Sequence, residues 1–515
     1  MNFMSLLKRG LNLAKVGKAV HKLRNASDED KKFWAHHYLV EMLGQSRGLP
    51  TKVGQMMTMN DEDTDLRQKL NDSVPSMPYE EVLEQISRAY GKSWDSVFNS
   101  LDENGKSASL GQVHFGKLKN GNSVAVKVQY PDIGNLVETE LELIGWLPKV
   151  GPVAKWGFDL GGYRDAFWDS FARELNYRIE ADQQKRYFDL AIPVHDLTIP
   201  EIYLDLCRST VLVQSREEGH SLDKAVSMGP PQRHAMGRAL LKHYLVMLFK
   251  HGYVHSDPNP DNFAFRQDGR DKFSLVVYDF GSILVISDEI RLGLIRIILA
   301  LRNNEAVDPV ACLVAIGFDQ EKLEDLRPTL PALLSVLFEP FLIEAPYHIN
   351  DWNLSLRFDQ IVGELKWWFR SAAPPELIFL MRTIHGLVSM LGRLDVTLPW
   401  QFIMDRECSD IYASASAIEL PDTPPTQGAV LGFDGMAEYL KIYVIKSNGN
   451  KISLTMPARV AECLEDVIDP PVMETIKKQN IDLKTIQSKV SKSGFLPQTM
   501  FTVKDSERDV RVWLG

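Results

Sequence analysis

Valine alternates with other residues in Val124-Ala-Val-Lys127, the period of a strand with one buried face. The turn-forming pair Asn120-Gly121 stands just before it, so residues 107–131 predict a hairpin. Apolar runs at Thr210-Val-Leu-Val-Gln-Ser215 and Phe273-Ser-Leu-Val-Val-Tyr278 predict two more strands. Elsewhere the spacing is helical. Leu240, Leu241, Tyr244, Leu245 and Leu248 mark one helix from about Pro231 to His251. Ser287-Asp288 caps another that runs through Ile290 to Arg302. Residues 60–106 also read as helical, punctuated by Pro75, Pro78 and Gly91, and helices continue to about Ser416. Glu419-Leu-Pro-Asp-Thr-Pro-Pro-Thr-Gln-Gly428 then reads as a linker. Beyond it, Tyr439–Lys446 and Lys451–Thr455 flank Ser447-Asn-Gly-Asn450 as a hairpin. Helical stretches and a strand pair, 499–503 with 509–514, close the chain.

These patterns divide the chain into a segment 1–26, a helical extension 27–106, a β-rich lobe 107–220 and a helical lobe 221–418. A linker 419–435 and an α+β module 436–515 follow. The 515 residues suffice for two or three cores, and 44% hydrophobic with 24% charged residues is an ordinary globular balance. A formal net charge of −10 argues against nucleic acid as the main partner. The four cysteines form no C-x-x-C pair and imply neither a disulfide framework nor a metal site. The longest apolar run, Pro375 to Met390, is interrupted by Glu376, Arg382 and His385, and no membrane-spanning helix or secretory signal is expected. The expected setting is cytoplasmic. The first segment qualifies that picture: Lys8, Arg9, Lys15, Lys18, Lys22 and Arg24 share it with Leu6, Leu13, Val16, Val20 and Leu23 at helical spacing. Such a helix can lie peripherally on an anionic membrane, pack on its own domain, or act as a transit segment.

The chemistry is concentrated in Tyr253-Val-His-Ser-Asp-Pro-Asn-Pro-Asp-Asn-Phe-Ala-Phe265 and Val276-Val-Tyr-Asp-Phe-Gly281. An acid, Asp257, is followed five residues later by Asn262, and a strand then delivers Asp279-Phe-Gly281. In kinase-type sites the first Asp faces the acceptor, while the Asn and second Asp hold Mg²⁺ against the nucleotide phosphates. Turn-forming residues alone would be unremarkable, but their order with a strand between them is not. Lys127 occupies the strand position whose lysine contacts the α- and β-phosphates, after a small-residue loop, Ser107-Ala108-Ser109-Leu110-Gly111, where a kinase has its glycine-rich lid. A lysine near phosphates needs an orienting carboxylate, and Glu174 or Glu180, in Arg173-Glu-Leu-Asn-Tyr-Arg-Ile-Glu-Ala181, can supply it. Arg216-Glu-Glu-Gly219, after the strand 210–215, suits a hinge that offers backbone groups to an adenine. Only Ser282 to Ile286 separate the Asp-Phe-Gly from the next helix, which leaves no platform for docking a peptide.

With Lys52-Val-Gly-Gln55, Leu110-Gly-Gln-Val-His114, Glu174-x-Asn176-Tyr, Glu180-Ala, Asp257-Pro, Asn262 and Asp279-Phe-Gly281 in this order, the chain resembles the UbiB/ADCK family of atypical protein-kinase-like proteins over roughly residues 40–410. The resemblance implies an α+β, bilobal protein-kinase-like fold, with a helical N-terminal extension and here an additional C-terminal α+β module. It implies ATP/ADP and Mg²⁺ as cofactors, a pair of Lys127 with Glu180, and Glu174 against an extension whose Lys52 and Gln55 cover the would-be peptide site. Ala108, Ser109 and Gly111 would form an alanine-type lid, Asp257 the catalytic-loop acid, and Asn262 and Asp279 the metal ligands. The family is associated with ATP-dependent support of isoprenoid-quinone biosynthesis at membranes. Two positions depart from its pattern: Asn176 replaces an expected acid, and Asp261 stands where glycine is common.

Three activities fit these residues. The first is an ATPase or small-molecule kinase acting on water or a lipid-like acceptor, such as an isoprenoid-quinone precursor. The second is a nucleotide-binding pseudokinase scaffold that presents the 436–515 module to a protein partner. The third is a lipid-handling accessory protein using the apolar helices of 290–400. The complete set of Lys127, Asp257, Asn262 and Asp279 favours the first.

Overall fold

The computed structural model describes residues 76–108, 110–131, 133, 173, 175–192, 194–269, 272–423, 432–447, 450–468, 470–493, 495–505 and 508–515. They fall into two compact units. One takes its residues from Met1–Val150, Leu160–Ser227 and His255–Ile283, the other from Gly151–Asp159, Met228–Val254 and Leu284–Gly515. The segment carrying Asp257, Asn262 and Asp279 thus belongs to the same unit as Lys127, although the sequence pattern assigned it to the helical lobe.

The first unit is built on an antiparallel sheet. Its strands are β1 (Phe98–Leu101), β2 (Lys106–Ser107), β3 (Gly111–Leu118), β4 (Ser123–Gln129) and a further strand, Val211–Ser215, in the order β1-β3-β4-Val211–Ser215, with β2 on β3. The β3–β4 hairpin turns at Asn120-Gly121, where Gly121 takes φ 88°, a left-handed conformation that glycine adopts without a Cβ penalty. The period of two sends Val124, Val126 and Val128 to one face, where helix α1 (Tyr79–Tyr90) contributes Val82 and Ile86 to the core. Gly91, at φ 65°, terminates α1. Lys127 and Leu212 lie on the opposite face, toward helix α2 (Tyr177–Ala191), whose Tyr177 and Ala181 are buried with Leu212.

One expectation changes here. Residues 98–101 and Lys106 lie in strands of this sheet rather than in a helical extension. Helix α2 begins at Tyr177, where Asn176 Oδ1 accepts the Arg178 N–H and caps it. A second sheet in this unit pairs Phe263–Gln267 antiparallel with Phe273–Val277, and Leu197–Thr198 parallel to the latter. Every residue of Phe273–Val277 is buried, which explains an apolar run broken only by Ser274.

The second unit is mainly helical: α3 (Pro230–Leu245), α4 (Asp288–Arg302), α5 (Leu330–Leu342), α6 (Leu354–Val362) and α7 (Pro375–Leu394) are its longer elements before the terminal module. Among the described residues α7 is the one helix long and apolar enough to cross a membrane, at 20 residues and mean hydropathy 1.3. The expectation that no run reaches that length is therefore corrected. Its Leu380, Leu387, Met390, Leu391 and Leu394 are buried, and it packs beside α3.

The terminal module is a four-stranded antiparallel sheet in the order Lys451–Pro457, Tyr439–Lys446, Arg508–Leu514, Gln498–Lys504. Helices α8 (Pro470–Lys478) and α9 (Leu483–Ser493) cover one face, and α9 also meets α5 and α6. The linker expected before it is pinned in its first part. Thr423 is buried, donates its hydroxyl to Asp308 at 2.8 Å and accepts Arg327 through its carbonyl at 3.0 Å. A second anchor is ionic. Glu339 accepts Tyr347 OH and Arg459 at 2.7 Å each and Arg357 at 2.7 Å, while Arg357 also reaches Glu462 at 2.9 Å.

Removing Arg357 would leave the nearly buried Glu339 and Glu462 short of counter-charge. Arg357→Met is expected to cost roughly 3 kcal/mol of stability and several degrees in Tm. Lys185→Ala, which breaks an exposed ion pair with Asp189, is expected to cost less than about 0.5 kcal/mol. Calorimetry of the two variants that showed equal, small losses would refute the ionic anchor.

Candidate nucleotide site

Three elements bring charge together in the first unit. Strand β4 carries Lys127, α2 carries Glu180 one turn from its cap, and the chain leaving Phe273–Val277 carries Asp279. Lys127 Nζ lies 3.0 Å from both Glu180 oxygens and 3.1 Å from Asp279 Oδ2. The side chains of Lys127 and Glu180 are 13% and 2% exposed, so the pair is largely desolvated. Burial works against the ammonium, but Asp279 and then Glu180 outweigh it and hold its pKa well above the ordinary lysine value. The ring of Tyr177 lies beneath it, 4.9 Å from centroid to Nζ.

Asp279 takes φ 56°, a left-handed backbone that aspartate tolerates better than most residues. Its Oδ1 accepts the Gly281 N–H at 3.3 Å. Fully buried His255 holds it from below: Nε2 lies 3.1 Å from the Tyr278 carbonyl oxygen and 2.7 Å from that of Asp279. Both partners are acceptors, so Nε2 carries the proton. The His255 ring meets Phe263 and Phe280 edge-on, and Phe280 in turn meets Tyr187 of α2 at 5.0 Å. His255 was not singled out in the sequence; the signal was its place two residues before Asp257, inside the apolar Tyr253-Val-His.

Asn262 is buried at the end of a short turn, Pro260–Asn262, capped by Asn259. Its Nδ2 donates to the Asp257 carbonyl at 3.4 Å, and its own carbonyl accepts the Tyr278 N–H at 2.8 Å. The amide nitrogen is thereby engaged and Oδ1 is left as the acceptor. An amide oxygen and a carboxylate are the hard donors that Mg²⁺ takes when phosphates and water complete its shell, so the pair fits that ion. No group of three or more His, Cys, Asp or Glu that could hold a metal occurs among the described residues, and such a cage is not what this ion needs beside phosphates. Asp257 is partly buried and Asp261 exposed.

The described residues on either side of Ser109 are held by backbone bonds. Ala108 N–H donates to the Gly111 carbonyl at 2.8 Å, and the Leu110 carbonyl accepts Tyr130 N–H at 3.1 Å. A Cβ at Gly111 would lie 2.4 Å from the Val128 carbonyl oxygen and 2.6 Å from Tyr177 Oη, so only glycine fits. In the hinge segment the Glu217 carbonyl accepts Tyr278 OH at 3.0 Å, and the Arg216 guanidinium lies 4.3 Å from the Phe115 ring centroid. Ser109, Glu174, Lys52, Gln55 and the basic segment 1–26 lie outside the described residues.

Residues 69–310 match the family described as the ABC1 atypical kinase-like domain. The chain is 25% identical over 376 residues to the mitochondrial atypical kinase coq-8 of Caenorhabditis elegans, covering 70% of this chain and 49% of that protein. It is 24% identical over 404 residues to the mitochondrial atypical kinase COQ8 of Schizosaccharomyces pombe, covering 75% and 65%. It thus spans about half to about two thirds of these relatives' lengths. Among solved structures, the Rv3197–erythromycin complex from Mycobacterium tuberculosis is similar with a TM-score of 0.51 and 25% identity, over 74% of this chain and 97% of that one. The fold is α+β and kinase-like, and over residues 69–310 the chain is similar to the ABC1 atypical kinase-like domain, in keeping with its resemblance to the UbiB/ADCK family.

Proposed function

We propose that this protein is an atypical kinase or ATPase that binds Mg-ATP against Lys127, Asn262 and Asp279 and passes the γ-phosphoryl group to water or to a small or lipid-like acceptor. The observation that carries this reading is the ion triad: one buried ammonium bracketed by Glu180 on α2 and by Asp279. Glu180 fixes the lysine on its strand so that the ammonium faces the α- and β-phosphates. Asp257, at the head of the loop, orients the acceptor hydroxyl or water. Bound Mg²⁺ would neutralise the charge that develops on the phosphoryl oxygens. His255 and the Asn262 backbone keep Asp279 and the loop in register through hydrogen bonds that need no rearrangement during reaction.

For the acceptor, the short span between Gly281 and α4 gives little room for a peptide platform. The relatives named as COQ8 kinases make isoprenoid-quinone (ubiquinone-type) biosynthesis the process we assign. A neighbour whose structure was solved in complex with erythromycin is in keeping with a bulky small molecule rather than a protein as substrate. Mitochondrial and chloroplastic relatives point to an organellar or membrane-facing setting over the cytoplasmic one.

Asp279→Asn is expected to abolish the Mg-dependent thermal shift with ATP, because it removes a carboxylate from the metal. An unchanged Mg-ATP shift in that variant would contradict the assignment. Lys127→Met should slow Mg-ATP turnover on the order of 100-fold. Because its pKa is raised, Lys127 stays charged and its stabilising pair intact below the ordinary lysine pKa of about 10.4, and that contribution is lost only as pH rises through the higher folded value. The Tm difference between wild type and the double variant Lys127→Met/Glu180→Gln, which leaves no unpaired buried glutamate, should therefore be constant from roughly pH 6 to 9. A difference that titrates within that window would show that the lysine is not held as described.

A further inference from the structure

We infer that the Tyr177 hydroxyl is a phosphate-binding group that works beside Lys127, donating a hydrogen bond to an oxygen of a phosphate chain drawn to the ammonium. The inference deepens the nucleotide reading above and rests on it for the source of the phosphates. Tyr177 opens α2, where its N–H donates to the Ser209 carbonyl at 2.9 Å and its side chain is fully buried. The ring lies under Lys127, 4.9 Å from Nζ to centroid, and the hydroxyl reaches on to β3. A Cβ on Gly111 would stand 2.6 Å from Oη, so the glycine leaves the space that the hydroxyl fills.

In that space Oη has no hydrogen-bond partner among the described residues. A hydroxyl taken out of water and left unpaired destabilises the fold, and a phenylalanine would occupy the same place without that cost. Buried polar groups are otherwise paired, so this one calls for a partner that the free protein lacks. Its surroundings say which kind. Gly111 pairs with Gln129 and Val113 with Lys127, so Gly111 and Lys127 lie on the same face of the β3–β4 ladder, one diagonal step apart. Tyr177 spans that step. Burial, above all, holds its phenol pKa well above the ordinary value, with Lys127 opposing and Glu180 and Asp279 adding to the rise, so the group stays a donor. An ammonium and a neutral O–H donor on one face suit an acceptor with negative charge on several oxygens, which a phosphate chain is. The nearby carboxylates do not serve: both Glu180 oxygens and Asp279 Oδ2 face Lys127, and Asp279 Oδ1 accepts the Gly281 N–H. Lys127 lies over the ring, so an ammonium that turns from Asp279 toward a phosphate exposes the tyrosine to the same ligand.

The experiment compares full-length wild type with Tyr177→Phe, which removes the hydroxyl and keeps the ring. Calorimetric titration with Mg-ADP, Mg-tripolyphosphate and adenosine is combined with thermal unfolding in the absence of ligand. Affinity of the variant for both phosphate ligands is expected to fall about twentyfold, with adenosine unchanged. Its ligand-free Tm is expected to equal or exceed that of wild type, because an unpaired buried hydroxyl has been removed. Equal affinities of the two proteins for both phosphate ligands would overturn the inference. A ligand-free Tm several degrees lower would do so as well, since the hydroxyl would then already be paired in the free protein by a water held against Gly111. The nucleotide reading fails separately: a wild type that binds tripolyphosphate as tightly as Mg-ADP and ignores adenosine removes the adenine and leaves Tyr177 with its phosphate. A wild type that binds neither phosphate ligand removes both.

Discussion

A lysine ammonium taken out of water must be repaid by opposite charge at short range, and at Lys127 two carboxylates do so within 3.1 Å. Much of the first unit follows from that requirement. The strand must turn Lys127 away from Val124, Val126 and Val128, which the period of two achieves. Helix α2 must start where Glu180 falls opposite, which the Asn176 cap ensures. The chain after Phe273–Val277 must bend left-handed to aim Asp279 inward, and His255 holds the carbonyls at that bend. Loss of either acid would leave the ammonium partly uncompensated, so the three elements constrain one another.

The second unit uses the same physics for attachment. Glu339 gathers Tyr347, Arg357 and Arg459 around one buried carboxylate, and Arg357 shares itself with Glu462 from the terminal module. Burial and the adjacent Glu339 push the Tyr347 hydroxyl pKa up, which keeps it a donor. With Thr423 held by Asp308 and Arg327, the module is fixed to its helical neighbours by directional contacts as well as by the apolar face of α9. The sheet face covered by α8 and α9 supplies its core.

The two departures from the family pattern have local explanations of different quality. Asn176 is among the best helix-capping residues, so replacing an acid there sacrifices a charge while keeping the cap. Asp261 sits exposed on the turn capped by Asn259, where water screens its charge from Asn262 and Asp279 more than burial would. The lid departs from ordinary kinases in another way. Its glycine is confined to residue 111, where a side chain would strike Val128 and Tyr177, and the loop bears Ala108 instead of further glycines.

The sequence by itself determined the order and type of the chemistry: Lys127 on an alternating strand, Asn262 five residues after Asp257, and Asp279 after an apolar strand are local patterns, readable because strand period and loop spacing are local properties. It also determined the Asn120-Gly121 turn and the hairpins of the terminal module. The Lys127–Glu180 pair was implied by the family resemblance, and the structure bears it out at 3.0 Å, with α2 starting at the Asn176 cap. Tertiary structure decided that 98–101 and 106–107 pair as strands, because short strands gain their stability from partners distant in the chain. It alone revealed His255 beneath Asp279 and Thr423 between Asp308 and Arg327. Each of these is a hydrogen bond between residues that sequence spacing does not relate, so only the folded chain could place them side by side.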